Sequence, residues 1–206
     1  MDIPWSSLVA GTTATFSAIA TYGAWMAARR ANATADAVAR IERDRWHADL
    51  TPSFTITIER TSDRTATLSV HLAGPLPLQR LDEIHIRVVP SDDADRTSRL
   101  PNGPSQEDLN AQVWGPYRFT HGADGADING QTVAPFSLRV GAGRPFSVEK
   151  TWPPRWIRGD STAQQWTDQW LNMPVRLILT CIREGFNQWT VPYEVEVPQA
   201  PRVRHL

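Results

Sequence analysis

The pattern of apolar and polar residues changes twice along the chain. Residues 5–28 carry no charged side chain, and residues 31–49 mix small and charged residues without Gly or Pro. From residue 53, apolar and polar residues alternate with a period of two. Long runs without Gly or Pro favour helix, whereas a period of two is typical of a half-buried strand. The sequence therefore predicts one long N-terminal helix followed by a β-rich domain.

The β-rich part is predicted to be framed by two hairpins. Alternating runs flank the polar turn Thr61–Arg64, and a second pair flanks the connection at residues 184–188. The predicted strands cover residues 54–58, 68–72, 84–88, 133–140, 145–151, 175–183 and 189–197. About seven strands without alternating helices are typical of an antiparallel β-sandwich, here with one or two short helical insertions. The predicted fold class is thus mainly β, with domains at residues 1–50 and 51–198 and a flexible tail at 199–206.

The uncharged N-terminal run is long enough to cross a membrane. As a helix, its 24 residues would span about 36 Å. Trp5 and Trp25 lie near its two ends, and Arg29 and Arg30 follow it, so the positive-inside rule places the C-terminal side in the cytoplasm. We predict a single-pass protein of the cell membrane, with the lipid bilayer as a partner and the β-domain in the cytoplasm. A buried soluble helix and a cleaved or interfacial segment are the alternatives, because Ala, Thr, Ser and Gly dominate the run.

Small residues recur at spacings of three and four along one side of this helix. They are Ser6, Ala10, Thr13, Ser17, Ala20 and Ala24. Small side chains allow helices to approach closely in lipid, so we predict a homo-oligomer that forms through the N-terminal helix. The alternative is that the pattern arises by chance in an Ala-rich sequence. The same spacing continues through Ala31, Thr34, Val38 and Ile41, which suggests a short coiled coil.

Composition removes several function classes. The net charge is −1, so nucleic acid is not expected as a partner. Cys181 is the single cysteine, which excludes an internal disulfide, and no His lies at metal-ligand spacing from another His or Cys. Asp127-Ile-Asn-Gly130 resembles only part of a calcium loop, and no nucleophile elbow, phosphate loop or dinucleotide fingerprint occurs. We predict no catalytic residues, no cofactor and no metal, and hence no enzyme.

Tryptophan is the remaining feature of the β-domain. Six occur there, namely Trp114, Trp152, Trp156, Trp166, Trp170 and Trp189. Exposed Trp is enriched at binding hot spots, so Trp152, Trp156, Trp114 and Tyr117 are the candidate binding residues. The alternative is that the Trp side chains cover the open ends of the sandwich core. We expect this for most of them, but not for Trp152 and Trp156, which Pro153 and Pro154 keep off regular strands.

The layout resembles that of a group of actinobacterial proteins that join one N-terminal span to a cytosolic β-rich domain. The resemblance rests on the span ending in Arg29-Arg30, the Arg-rich segment Ile41–Arg45 and the aromatic block Trp114–Phe119. It implies no activity. Our leading hypothesis is a membrane-anchored, self-associating binding or scaffold module for an unidentified protein partner. The alternatives are a membrane-disrupting effector with a ligand-sensing β-domain and an exported carbohydrate-binding domain.

Overall fold

A computed structural model describes residues 5–90, 103–157 and 162–197, with the backbone alone for residues 5–24 and 27. The chain divides into two units, Met1–Asp49 and Leu50–Leu206, one residue from the predicted domain boundary. The predicted tail at residues 199–206 lies outside the described residues.

The first unit contains one helix, α1 (Trp5–Asp49), as the sequence predicts. Its side chains from residue 28 to residue 46 are all exposed. Within the described part of the chain, no helix combines the length and the apolar character needed to cross a bilayer. The cause is composition, because Ala, Thr, Ser and Gly outnumber the strongly apolar residues. The membrane-span prediction therefore gains no support, and the side chains of the small-residue seam, residues 6–24, lie outside those described.

The described residues of the second unit form eight strands in two antiparallel sheets. They are β1 (Ser53–Arg60), β2 (Thr65–Gly74), β3 (Arg80–Val88), β4 (Tyr117–Phe119), β5 (Phe136–Arg139), β6 (Gly143–Lys150), β7 (Val175–Ile182) and β8 (Trp189–Val195). The strand orders are β1-β2-β6-β4 and β5-β3-β7-β8. One apolar core draws residues from both sheets, which confirms a mainly β fold consistent with a sandwich.

Both predicted hairpins are confirmed by the register. Ile56 lies opposite Val70 in the first hairpin, and Leu179 lies opposite Val191 in the last. Every second residue of β7 is buried, and Cys181 is among them, because the period-two pattern turns one face toward the core.

Helical insertions are short, as the sequence predicts. Helix α2 (Gln106–Ala111) begins at Ser105, whose hydroxyl accepts from the Asp108 N–H while the Asp108 carboxylate accepts from the Ser105 N–H. This capping box fixes the start of the helix. Helix α3 (Thr162–Trp166) continues into a π-helical segment, Thr167–Leu171.

Three chain segments meet at one end of the first sheet. Thr65 pairs with Glu149, and Tyr117 pairs with Lys150, so the β1–β2 turn, the end of β6 and the start of β4 are neighbours. The chain leaves β6 here at Thr151 and enters the Trp152–Trp156 segment. This end of the sheet carries the candidate site.

Candidate functional site: a tryptophan-lined pocket

An open pocket of about 760 Å³ lies where the chain leaves β6. Its walls come from three places: residues 151–156, the α2 region and β4. The lining residues are Gly103, Pro104, Asp108, Gln112, Arg118, Thr151, Trp152, Pro153, Pro154, Arg155 and Trp156. The size falls in the range of pockets that hold small molecules or short peptide segments.

Trp152 and Trp156 are the exposed aromatic side chains of this pocket. They are 54% and 37% exposed, although large aromatic residues usually bury most of their surface. The Arg64 guanidinium lies 5.3 Å from the Trp152 ring centroid, within cation–π range. The Ile157 N–H donates to the Pro154 carbonyl at 3.0 Å and closes a turn around Arg155 and Trp156. These contacts tie the segment to Arg64 and close its turn, while both rings stay partly exposed.

The other four tryptophans of the β-domain are buried. Trp114, Trp166 and Trp170 pack with Leu109 into a small cluster of their own, with ring centroids 5.6 to 5.9 Å apart. Trp189 belongs to the main core and stacks on Phe186 at 5.6 Å. The alternative that most Trp side chains serve packing is thus supported, although three of them build a second cluster rather than cover the main core.

Two of the candidate binding residues do not reach the surface. Trp114 lies in the small cluster, and Tyr117 is buried in the main core. Both side chains lie beneath the surface, and their role in binding stays a prediction. The burial of Tyr117 follows from the alternation of side chains along β4. Tyr117 and Phe119 face the core, whereas Arg118 between them lines the pocket.

Thr151 connects the pocket to the buried cluster. Its hydroxyl donates to the Gly115 carbonyl and accepts from Trp166 Nε1 at 3.1 Å. Its backbone N–H donates to the Pro116 carbonyl at 3.1 Å. Thr151 thus joins the end of β6 to the Gly115-Pro116 segment and to α3, at the position that precedes Trp152.

Most polar side chains of the pocket are already bound within the protein. The Arg118 guanidinium contacts the Glu149 carboxylate at 2.7 and 2.8 Å, because the two residues lie opposite each other on β4 and β6. The Gln112 amide nitrogen donates to the Val113 carbonyl at 3.2 Å and the Trp152 carbonyl at 3.4 Å.

Asp108 is engaged in the same way. Its carboxylate accepts from the Ser105 hydroxyl at 2.6 Å and from the Ser105 N–H at 3.0 Å. These two hydrogen bonds lower the pKa of Asp108 below 3.8. The side chain therefore stays an ionised helix cap at neutral pH.

Three hydrogen-bond donors of the pocket remain unused. In the part of the chain that the structure describes, Arg155 forms no ion pair, and neither indole N–H of Trp152 or Trp156 meets a protein acceptor. By contrast, the indole N–H groups of two buried tryptophans have acceptors within the protein. Trp114 Nε1 donates to the Leu109 carbonyl at 3.1 Å, and Trp166 Nε1 donates to the Thr151 hydroxyl. Among the described residues, the indole N–H groups of Trp152 and Trp156 and the guanidinium of Arg155 are thus left for a ligand to bind.

The residues considered for metal binding or nucleophilic chemistry, Asp127 and Cys181 among them, have structural roles. Among the described residues, no three His, Cys, Asp or Glu side chains lie close enough to hold a metal ion. Asp127 accepts four hydrogen bonds from its own loop, which occupy both carboxylate oxygens. Burial raises the pKa of the Cys181 thiol to about 12, which leaves it protonated and unreactive at neutral pH.

Sequence reasoning identified the Trp152–Trp156 segment but missed its neighbours. Arg64 and Gln112 are distant from Trp152 in the chain, and neither lies in a motif. The contact of Arg64 follows from the register, since the Lys150 N–H donates to the Arg64 carbonyl at 2.8 Å. Only a correct pairing of β2 with β6 would have revealed it.

Comparisons with known proteins give no match: no family model, no curated protein and no solved structure matches this chain. The resemblance to actinobacterial single-span proteins stays an expectation from sequence.

Proposed function

We propose that the chain is a non-catalytic binding module that holds a partner protein at the Trp152–Trp156 pocket. The observation that carries this proposal is the exposure of two tryptophans on a segment that the protein itself holds in place. Ordering a flexible loop on binding would cost affinity, and a preformed aromatic surface avoids that cost. Trp and Arg are also the residue types most enriched at binding hot spots.

The polar lining favours binding over chemistry. Asp108, Gln112 and Arg118 are each bound within the protein, so they shape the pocket rather than face it with reactive groups. A general acid or base needs a proton-transfer partner within hydrogen-bond reach in the substrate complex. Here the carboxylate of Asp108 is held by Ser105 and that of Glu149 by Arg118.

Site-directed photo-crosslinking of the full chain in its native host tests this proposal. A benzophenone amino acid replaces Trp156, and matched variants carry it at Leu76 or Ile128, which are exposed apolar positions elsewhere on the β-domain. We expect a protein adduct that forms at position 156, does not form at the two control positions, and is lost when Trp152→Ala is added. Equal adduct patterns at all three positions would refute the pocket as a binding site.

Self-association and membrane anchoring are the roles that we propose for α1. Val38 and Ile41 are 53% and 66% exposed and lie three residues apart, so they share a face of the helix. A second copy of the chain would cover them. Anchoring rests on the uncharged run with Arg29 and Arg30 after it, as derived from the sequence. A reporter fused to the C-terminus should then be active only in its cytoplasmic form.

A further inference from the structure

We propose that the partner segment in the Trp152–Trp156 pocket is a proline-rich peptide that carries acidic residues. This inference rests on the proposed function, and it follows from which hydrogen-bonding groups the pocket leaves free. The occupant should be apolar, should accept hydrogen bonds and should carry negative charge.

The free groups of the pocket match a polyproline II segment. Such a segment has no internal hydrogen bonds, and proline lacks a backbone N–H, so the ligand presents carbonyl acceptors and needs few acceptors in return. Trp152 and Trp156 line the pocket, and their indole N–H groups meet no acceptor among the described residues. Flat aromatic rings beside such donors are how proline-rich segments are recognised in general.

A carbohydrate is the alternative occupant. Each sugar hydroxyl both donates and accepts, so a sugar site needs free carboxylate or amide acceptors beside its aromatic ring. Asp108 Oδ1 and Gln112 Oε1 accept no hydrogen bond from the described residues, so the pocket could supply such acceptors. The positive charge of Arg155 and Arg64, which a neutral sugar would leave unpaired, is what favours an acidic peptide.

The positive charge at the pocket is the reason that we expect acidic residues in the ligand. The Arg155 guanidinium is exposed and unpaired within the described residues, and Arg64 adds a second positive charge beside Trp152. Of the negative charges nearby, that of Glu149 is paired with Arg118, whereas Asp108 keeps its charge beside the neutral Ser105. The two positive charges of Arg64 and Arg155 therefore exceed the one unpaired negative charge of Asp108. A carboxylate on the ligand can pair with Arg155 in two parallel hydrogen bonds. A Lys or Arg in the same place would be repelled.

The same argument disfavours the chain's own C-terminal sequence as the occupant. Residues 198–202 read Pro-Gln-Ala-Pro-Arg, which has the proline spacing but carries Arg202 and no acidic residue. We therefore assign the pocket to a separate acidic peptide. Removal of residues 198–206 is included in the test, because a bound tail would compete with the peptide.

The test is calorimetric titration of the full chain with synthetic peptides of about twelve residues, roughly four turns of polyproline II. The probes are a Pro-Pro-Glu repeat, a Pro-Pro-Gln repeat, a Pro-Pro-Lys repeat and a Gly-Ser-Glu repeat, with cellohexaose as the sugar. We expect the affinity order Pro-Pro-Glu, then Pro-Pro-Gln, with no binding of the Lys repeat, the Gly-Ser-Glu repeat or the sugar.

Three variants locate the binding. Trp152→Ala with Trp156→Ala should lower the affinity for the Pro-Pro-Glu repeat at least about tenfold, as at hot-spot tryptophans. Trp46→Ala, an exposed Trp on α1, should leave it unchanged. Arg155→Ala should lower the affinity for the Glu repeat about two- to fivefold and leave that for the Gln repeat unchanged. In ¹H–¹⁵N spectra, the indole N–H signals of Trp152 and Trp156 should shift on binding.

The outcomes separate this inference from the proposed function. Binding of cellohexaose alone, or equal binding of the Gly-Ser-Glu and Pro-Pro-Glu repeats, would overturn the proline-rich assignment. The crosslinking result would then still decide whether the pocket binds a partner. Tighter peptide binding after removal of residues 198–206 would show that the tail occupies the pocket and would overturn the assignment to a separate peptide. No binding of any probe would also overturn it.

Discussion

At the scale of single residues, Thr151 links the pocket to the buried tryptophan cluster. Its hydroxyl is buried and serves two partners, the Gly115 carbonyl and Trp166 Nε1. A buried polar group without a partner costs about 1–3 kcal/mol, and the loss of this hydroxyl would leave two such groups. The pocket and the buried tryptophan cluster should therefore respond together to a change at Thr151.

Thr151→Val keeps the shape of the side chain and removes the hydroxyl. We expect the free energy of unfolding to fall by about 2 kcal/mol, because the Gly115 carbonyl and the Trp166 indole lose their partner in a buried site. Urea unfolding measures this difference. The matched control is Thr167→Val, whose hydroxyl bonds an exposed helix carbonyl that water can reach. Equal effects of the two substitutions would contradict the role assigned to Thr151.

Asp127 is a second residue with a structural task. Its carboxylate accepts from the N–H groups of Asn129, Gln131 and Thr132 and from the Thr132 hydroxyl, at 2.6 to 3.0 Å. The loop also needs Gly130, since a Cβ there would meet the Phe119 carbonyl and φ is +71°. Burial raises the pKa of Asp127, but the four hydrogen bonds together outweigh burial, and the pKa lies below 3.8.

Asp127→Asn should lower the free energy of unfolding at pH 7 by about 2 kcal/mol, because the ionised acceptor of these bonds is lost. A carboxyl whose pKa is lowered by folding stabilises the fold above its unfolded value of 3.8. That contribution is lost as the pH falls through the lower pKa of the folded state. The difference between wild type and variant should therefore shrink below pH 3.8. Asp63→Asn in an exposed turn serves as control, and a difference independent of pH would contradict the assignment.

At the scale of elements, the β-domain begins before its first strand. Leu50 follows α1 and precedes β1, yet its side chain is buried in the main core. The sequence places the boundary after residue 50, because proline at residue 52 ends the helix and nothing in the local pattern reveals the burial of Leu50. Burial of a Leu side chain stabilises a fold by about 1.5–3 kcal/mol.

Two fragments test this boundary. Residues 50–197 and residues 53–197 should both give β-rich circular dichroism, and the shorter one should unfold at lower urea concentration, by about 1.5–3 kcal/mol. Leu50→Ser in the longer fragment should reproduce most of that loss. A helix-dominated spectrum would contradict the fold, and equal stability of the two fragments would contradict the burial of Leu50.

Local pattern predicts some elements and not others. The two hairpins and α2 are predictable, because strand alternation and the Ser105–Asp108 cap lie within a few residues. Strand β4 is not, since three residues carry no period and its partner β6 is distant in sequence. Likewise the contact of Trp166 with Trp170 follows from helical spacing, but that of either with Trp114 depends on the tertiary fold.

At the scale of the whole molecule, α1 and the β-domain differ in how they bury apolar surface. The β-domain encloses its own core, whereas Val38, Ile41 and Trp46 on α1 are exposed. A helix in a protein gains most of its stability from the packing of its apolar face against other elements. This difference is the reason that α1, rather than the sandwich, is proposed to hold copies of the chain together.

Val38→Glu with Ile41→Glu should shift the full chain toward monomer, because paired helices would then bury four like charges. Sedimentation velocity at several protein concentrations measures the shift. Ala33→Glu with Ala39→Glu adds the same charge on the other side of the helix and should leave the assembly unchanged. A wild-type chain that sediments as a monomer at all concentrations would contradict self-association.

The close packing of Trp114, Trp166 and Trp170 has an optical consequence. Their rings lie 5.6 to 5.9 Å apart at interplanar angles of 42 to 62°, so their electronic transitions couple in a fixed chiral arrangement. Coupled indoles give strong near-ultraviolet circular dichroism, which is lost when side-chain packing loosens even if the strands persist. The near-ultraviolet signal therefore reports on the packing of this tryptophan cluster. Recording it during heating, beside the far-ultraviolet signal of the strands, should reveal whether the cluster loosens before the sheets unfold.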